Sequence, residues 1–134
     1  MILAKDQLNL IVNELNRLID KQNMIVLLRG DLASGKTTLV KQYIKQNNID
    51  DDVTSPTFSI QTKYSNDIYH YDLYNKSLQE FVNLGLLEEF ENDGIHFVEW
   101  GEEDLESILS QYGFEFLVVN IKKLDNKREY IIET

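Results

Sequence analysis

Eight residues constrain this chain more than any others. Gly30-Asp31-Leu32-Ala33-Ser34-Gly35-Lys36-Thr37 satisfies the pattern G-x-x-x-x-G-K-[ST] at each fixed position, and with average amino-acid usage a chance match in a chain of this length is roughly a one in 200 event. Such a loop works only between a strand and a helix, because its backbone N–H groups must turn inward while the next helix aims its amino terminus at a bound anion. Both flanks are present. Met24-Ile25-Val26-Leu27-Leu28 is a continuous apolar run, the pattern of a strand covered on both faces, and Leu39, Val40, Tyr43 and Ile44 follow at helical spacing. Gly30 and Gly35 permit tight curvature. Lys36 can span the β- and γ-phosphates of a nucleoside triphosphate, and the Thr37 hydroxyl can ligate Mg²⁺. Asp31, Leu32, Ala33, Ser34 and Thr38 complete the expected nucleotide-binding segment.

Around this loop the periodicities alternate. Leu8, Ile11, Val12, Leu15, Leu18 and Ile19 mark an amphipathic helix. Polar residues 48–52 read as a connection, further strands are expected over 58–64, 68–72, 95–99, 114–121 and 130–133, and helices over 78–90 and 103–111. The expectation is an α/β fold of the P-loop NTPase type: one domain spanning 1–134, with a central mixed, mainly parallel sheet flanked by helices. A length of 134 residues fits one domain.

A phosphate loop alone does not choose between an ATPase, a GTPase and a kinase; metal chemistry needs a carboxylate at the end of a neighbouring strand. Two sites compete for that role. Ile68-Tyr69-His70-Tyr71-Asp72 and Ile95-His96-Phe97-Val98-Glu99 both end in an acid. Period-two alternation puts His70 and Asp72 on one face of the first strand, and Phe97 with Glu99 on one face of the second. His70 and His96 read as ordinary strand residues that satisfy a local hydrogen bond.

Charge narrows the partner class. The net charge of −10 opposes a direct grip on DNA or RNA phosphates. It is unevenly placed: the 45 residues between Lys76 and Lys122 carry 11 acids and no Lys or Arg, whereas the rest of the chain is close to neutral. That segment reads as a solubilising surface or as a docking face for a basic partner. The chain has no cysteine, which excludes thiolate metal sites and cysteine nucleophiles. Its start lacks the basic head and apolar run of a signal peptide, and no apolar stretch approaches the roughly 20 residues of a membrane span, so a cytoplasmic protein is expected.

Four motifs in order, Ser55-Pro56-Thr57-Phe58, His70-Tyr71-Asp72-Leu73-Tyr74, Leu84-Gly85 and Val98-Glu99-Trp100, accompany the loop. Together they resemble the bacterial TsaE family, small ATPases of tRNA threonylcarbamoyladenosine synthesis, over about residues 6 to 131. The resemblance implies ATP and Mg²⁺ as ligands. It implies that Ser55 and Thr57 act in a switch loop near the γ-phosphate, that Asp72 positions or polarises water, and that Glu99 joins Thr37 on the metal. It also places Arg128 near the nucleotide and Glu102 at the pocket border. The partners implied are TsaB and TsaD, with tRNA reached only through them.

The chain departs from the family pattern at three positions. Ala33 replaces a usual glycine, Asn75 a usual arginine and Gly101 a frequent proline. A positive φ at residue 33 would make alanine cost roughly 1 kcal/mol and lower nucleotide affinity. Two readings remain beside the ATPase: a small-molecule kinase, for which the stretch without Lys or Arg leaves little material for a lid, and a non-catalytic nucleotide-sensing scaffold. Asn126-Lys127-Arg128-Glu129 superficially resembles the guanine-reading N-K-x-D, but a polar hairpin turn is the simpler expectation.

Overall fold

The apolar run at 24–28 lies in the middle of a sheet, with a helical layer against each face. The computed structural model describes residues 1–19, 23–47, 49 and 60–134. In these residues the strands are β1 (Ile2–Ala4), β2 (Asn23–Arg29), β3 (Gln61–Tyr64), β4 (Ile68–Asp72), β5 (Gly94–Glu99), β6 (Phe116–Lys123) and β7 (Lys127–Glu133). The helices are α1 (Leu8–Leu18), α2 (Lys36–Gln46), α3 (Leu78–Asn83), α4 (Leu86–Glu89) and α5 (Glu103–Gln111). The strand order is β1-β7-β6-β2-β5-β4-β3.

The middle four strands are parallel, as helical crossovers require, and both flanks are antiparallel where connections are short. Between β3 and β4 the chain turns through Asn66 and Asp67, both at positive φ, a conformation that Asn and Asp tolerate better than other side chains. The expected hairpin before Arg128 is present as well: β6 and β7 join through residues 124–126.

Alternation along β2 divides the interior in two. Val26 and Leu28 pack with Leu15, Leu39, Ile44 and Phe97 under α1 and α2. Ile25 and Leu27 pack with Tyr71, Phe81, Val98, Leu105 and Leu109 under α3, α4 and α5. Leu27 and Leu28 are both wholly buried, each worth about 1.5–3 kcal/mol of burial.

The expected helix over 78–90 is two helices. Ser77 caps α3, accepting from the Glu80 N–H at 3.1 Å, and Gly85 at φ 74° separates α3 from α4. The three-residue β1 carries no periodic signal of its own; it is held by antiparallel pairing with β7 and by the Met1 amino group on the Tyr130 carbonyl at 3.0 Å. The Ser55–Phe58 motif, with Thr57, lies outside the described residues, as does the expected 48–52 connection apart from Ile49. Among the described residues no helix is long and apolar enough to cross a membrane.

For the site, the consequence is positional. β2 leads directly into the glycine-rich loop, and Glu99 pairs with Leu28 on one side and Asp72 on the other. Parallel strands end together, so both competing acids lie at one edge, beside the loop.

Candidate functional site

The loop has the backbone its glycines predict. Gly30 lies at φ 155°, and a Cβ there would fall 2.5 Å from both the Ile121 carbonyl oxygen and Ser34 Oγ. Gly35 begins α2 at φ 109°. Ala33 lies at φ 62°, the region where an alanine costs roughly 1–2 kcal/mol more than in its ordinary conformations. From β7, Arg128 reaches the loop and donates from Nε to the Ser34 carbonyl at 2.9 Å. Ser34 is buried, and its Oγ has no hydrogen-bond partner among the described residues. A buried hydroxyl left unpaired normally costs about 1–3 kcal/mol.

The Lys36 ammonium folds back on the loop. Nζ donates to the Gly30 and Asp31 carbonyls at 2.7 and 3.0 Å and lies 4.0 Å from the centre of the Trp100 ring. Burial pushes its pKa down from the usual lysine value, opposed by the charges of Glu99, Asp72, Asp31 and Glu102. Trp100 lies at φ 66°, an uncommon conformation for a bulky residue. The next residue is tied down, since Arg29 Nε donates to the Gly101 carbonyl at 3.0 Å and the Arg29 guanidinium pairs with Glu106 at 2.7 Å. On its other side the indole packs against Tyr74, with ring centres 5.1 Å apart.

Two acids frame the loop differently. Glu99 is buried, and its Oε2 accepts from Thr37 Oγ1 at 2.8 Å and from His70 Nε2 at 2.5 Å. Asp72 is half-buried, and its Oδ1 accepts from the Tyr74 N–H at 3.0 Å. Burial raises the Asp72 pKa from its usual value, opposed by the Tyr74 N–H and Lys36 and reinforced by the nearby Glu99. Thr37, Glu99 and Asp72 offer oxygen donors, which suit a hard cation. Among the described residues no group of three or more His, Asp or Glu gathers as a metal cage. One or two carboxylates beside a phosphate site is the donor set that magnesium takes, with nucleotide oxygens and water completing the shell.

These residues line one cavity of about 390 Å³, formed by Leu32 to Thr38 of the loop with Asp72, Tyr74, Glu99, Trp100 and Arg128. Gly30 and Asp31 stand at its base through the carbonyls that hold Lys36. Glu102 is not among the described residues that line it; this exposed residue precedes α5, and its charge acts on Lys36.

A second cavity, of about 370 Å³, shares Gly35, Thr38 and Arg128 with the first and is otherwise lined by Leu3, Ala4, Lys5, Leu8, Tyr130 and residues 125–127. Sequence reasoning missed this cavity, because β1 brings the start of the chain beside the 124–126 turn across a span that no local pattern reports. Period-two alternation had already placed His70 on the face of Asp72, but its partner Glu99 comes from another strand.

Residues 3–130 match the family model for threonylcarbamoyl adenosine biosynthesis protein TsaE. A Rickettsia prowazekii (strain Madrid E) protein named tRNA threonylcarbamoyladenosine biosynthesis protein TsaE is 38% identical over 113 residues, covering 81% of this chain and 75% of that one. The protein of the same name from Bacillus subtilis (strain 168) is 31% identical over 124 residues, covering 84% and 78%. Among solved structures, the crystal structure of Bacillus subtilis YdiB superposes with a TM-score of 0.66 at 26% identity, covering 97% of this chain and 80% of that one.

Proposed function

This chain belongs to the TsaE family of threonylcarbamoyl adenosine biosynthesis proteins, and from that premise we propose that it is a magnesium-dependent ATPase serving that pathway through the TsaB and TsaD proteins. One observation carries the ATPase reading: Lys36, Thr37, Asp72 and Glu99 converge on a single cavity beneath a loop whose backbone is shaped for phosphate.

In this reading the triphosphate occupies the 390 Å³ cavity. Lys36 exchanges two neutral carbonyl acceptors for phosphate oxygens, and charge-assisted hydrogen bonds of that kind are roughly twice as strong. Thr37 and Glu99 would hold Mg²⁺, which would supply positive charge against that developing on the phosphates. Asp72, half-exposed and with its pKa raised, accepts a proton from the attacking water or orients it. The nucleoside extends past Gly35 and Thr38 into the second cavity, with Arg128 between the two compartments.

Charge supports action through protein partners. The acids of the segment between Lys76 and Lys122 lie mostly on α3, α4, α5 and their flanking turns, as with Glu88, Glu91 and Glu103, which are exposed. A surface of that sign repels tRNA and suits a basic protein face. One observation favours the second reading, a nucleotide-sensing scaffold that binds without turnover: the positive φ at Ala33 places strain within the loop itself.

The test is an ATPase assay on wild type, Lys36→Ala and Glu99→Ala, each with and without TsaB and TsaD. Slow hydrolysis alone, stimulation by the partners and loss in both variants are expected. Equal activity in all three proteins would overturn the proposal, and tight ATP binding with no partner-stimulated turnover would favour the scaffold.

A further inference from the structure

We propose that His70, braced by Tyr64, is a positioning residue that holds the Glu99 carboxylate for the metal; this inference rests on the magnesium site proposed above. His70 is wholly buried on β4, and both ring nitrogens are engaged: Nε2 lies 2.5 Å from Glu99 Oε2, and Nδ1 lies 3.1 Å from the Tyr64 hydroxyl. A carboxylate only accepts, so Nε2 carries the hydrogen and donates it to Glu99. Nδ1 meets the Tyr64 hydroxyl, which can pair with it as donor or acceptor, so the second nitrogen is engaged as well. With no exposed surface and both nitrogens occupied, the ring does not reach a substrate. It acts through Glu99.

The need for it follows from burial. A carboxylate as deeply buried as Glu99 needs hydrogen-bond donors to replace the water it has lost and to hold it in place. Among the described residues two reach the same oxygen, Thr37 Oγ1 and His70 Nε2. In the proposed site the first of these donors would itself be a metal ligand through its hydroxyl oxygen, so its position would be tied to the cation. The second comes from an adjacent strand, in the register Asp72↔Glu99, and does not depend on the metal. His70 therefore keeps Glu99 aimed both before and after the cation arrives, in the way an outer partner fixes a metal ligand.

The test follows binding of a fluorescent non-hydrolysable ATP analogue to the full chain, against Mg²⁺ concentration and again in EDTA. His70→Leu is expected to raise the Mg²⁺ concentration for half-maximal binding by about 10- to 100-fold, while binding in EDTA stays at the wild-type level. His70→Gln, whose amide can take the place of Nε2–H, should recover most of that loss, and Tyr64→Phe should show a smaller shift in the same direction. In a Glu99→Ala background His70→Leu should add nothing, because two residues acting as one unit are not additive. Equal weakening with and without metal, or full additivity with Glu99→Ala, would reduce His70 to a structural role and overturn the inference. If His70→Leu does not fold, Tyr64→Phe decides the same question, and a wild-type metal dependence in that variant would also overturn the inference. A wild type whose binding ignores Mg²⁺ would instead overturn the magnesium site itself, and this inference with it.

Discussion

His70 and His96 lie on neighbouring strands, both wholly buried and wired alike. In each, a tyrosine hydroxyl meets Nδ1: Tyr64 at 3.1 Å for His70 and Tyr71 at 2.7 Å for His96. In each, Nε2 donates onward. The difference is the final acceptor, the Glu99 carboxylate for His70 and the backbone carbonyl of Asn92, at 3.0 Å, for His96. Pleating sets this, because His70 and Glu99 lie on the face that carries the loop, whereas His96 lies on the opposite face among Tyr69, Tyr71 and Phe90. The same side chain at the same burial thus serves a site on one face and a core on the other. A histidine's role here is read from the last group on its chain of hydrogen bonds.

Glu99→Gln should break the comparison most forcefully. It preserves the shape of the carboxylate while removing its charge, and partner-stimulated hydrolysis should fall by on the order of 100-fold. The thermal midpoint should move far less than that loss of activity would suggest. A matched loss of stability and activity would show that the loop-side network is as structural as the other.

His96→Leu probes the opposite face. The Tyr71 hydroxyl and the Asn92 carbonyl lose their imidazole partner, and a denaturant titration should show a cost of about 2 kcal/mol. ATP affinity of the folded fraction should be unchanged. A variant of normal stability with impaired nucleotide binding would place His96 in the functional network and dissolve the distinction.

Acid titration should separate the two faces by a subtler effect. Burial holds the His96 pKa below its ordinary value, opposed by its bond to the Asn92 carbonyl and the charge of Glu89. The unfolded chain, with a histidine pKa near 6.5, therefore binds the proton more readily than the folded one. The contribution to stability is complete above that value and is lost as pH falls through and below it. Denaturation midpoints at pH 7.5 and 5.5 should diverge in wild type and diverge less in His96→Phe. An equal divergence in the two proteins would assign the acid sensitivity to other groups.

Much of this contrast was legible in the sequence, and what was not has a physical reason. The glycine-rich loop, the doubly buried β2 and the two acids at strand ends follow from patterns within a few residues. Alternation alone put His70 on the face of Asp72. It could not say which strand lies next to β4, and so could not supply Glu99 as the acceptor. The same limit hid β1, whose three residues gain their structure from β7 more than a hundred positions away. The break in the helix over 78–90 could have been found, because Gly85 interrupts the apolar periodicity and suits the positive φ it adopts.

The two faces differ finally in how well they obey local rules, and the smallest prediction tests whether that difference is functional. On the side of His96 the polar groups named above are paired. On the loop side Ala33 and Trp100 lie at positive φ and the Ser34 hydroxyl is orphaned, and departures of this kind concentrate where a site constrains the fold. Ala33→Gly removes one of them. Relief of the left-handed alanine is worth roughly 1–2 kcal/mol, but the freer glycine chain returns about 0.4–1 kcal/mol of that through the unfolded state. The net gain in stability should be about 0.8 kcal/mol, read as a small rise in the denaturation midpoint. If ATP affinity rises by the same small amount, the strain was merely tolerated. If stability rises while partner-stimulated turnover falls, the strained loop contributes to release or reset of the site, and alanine at this position is part of how the protein works.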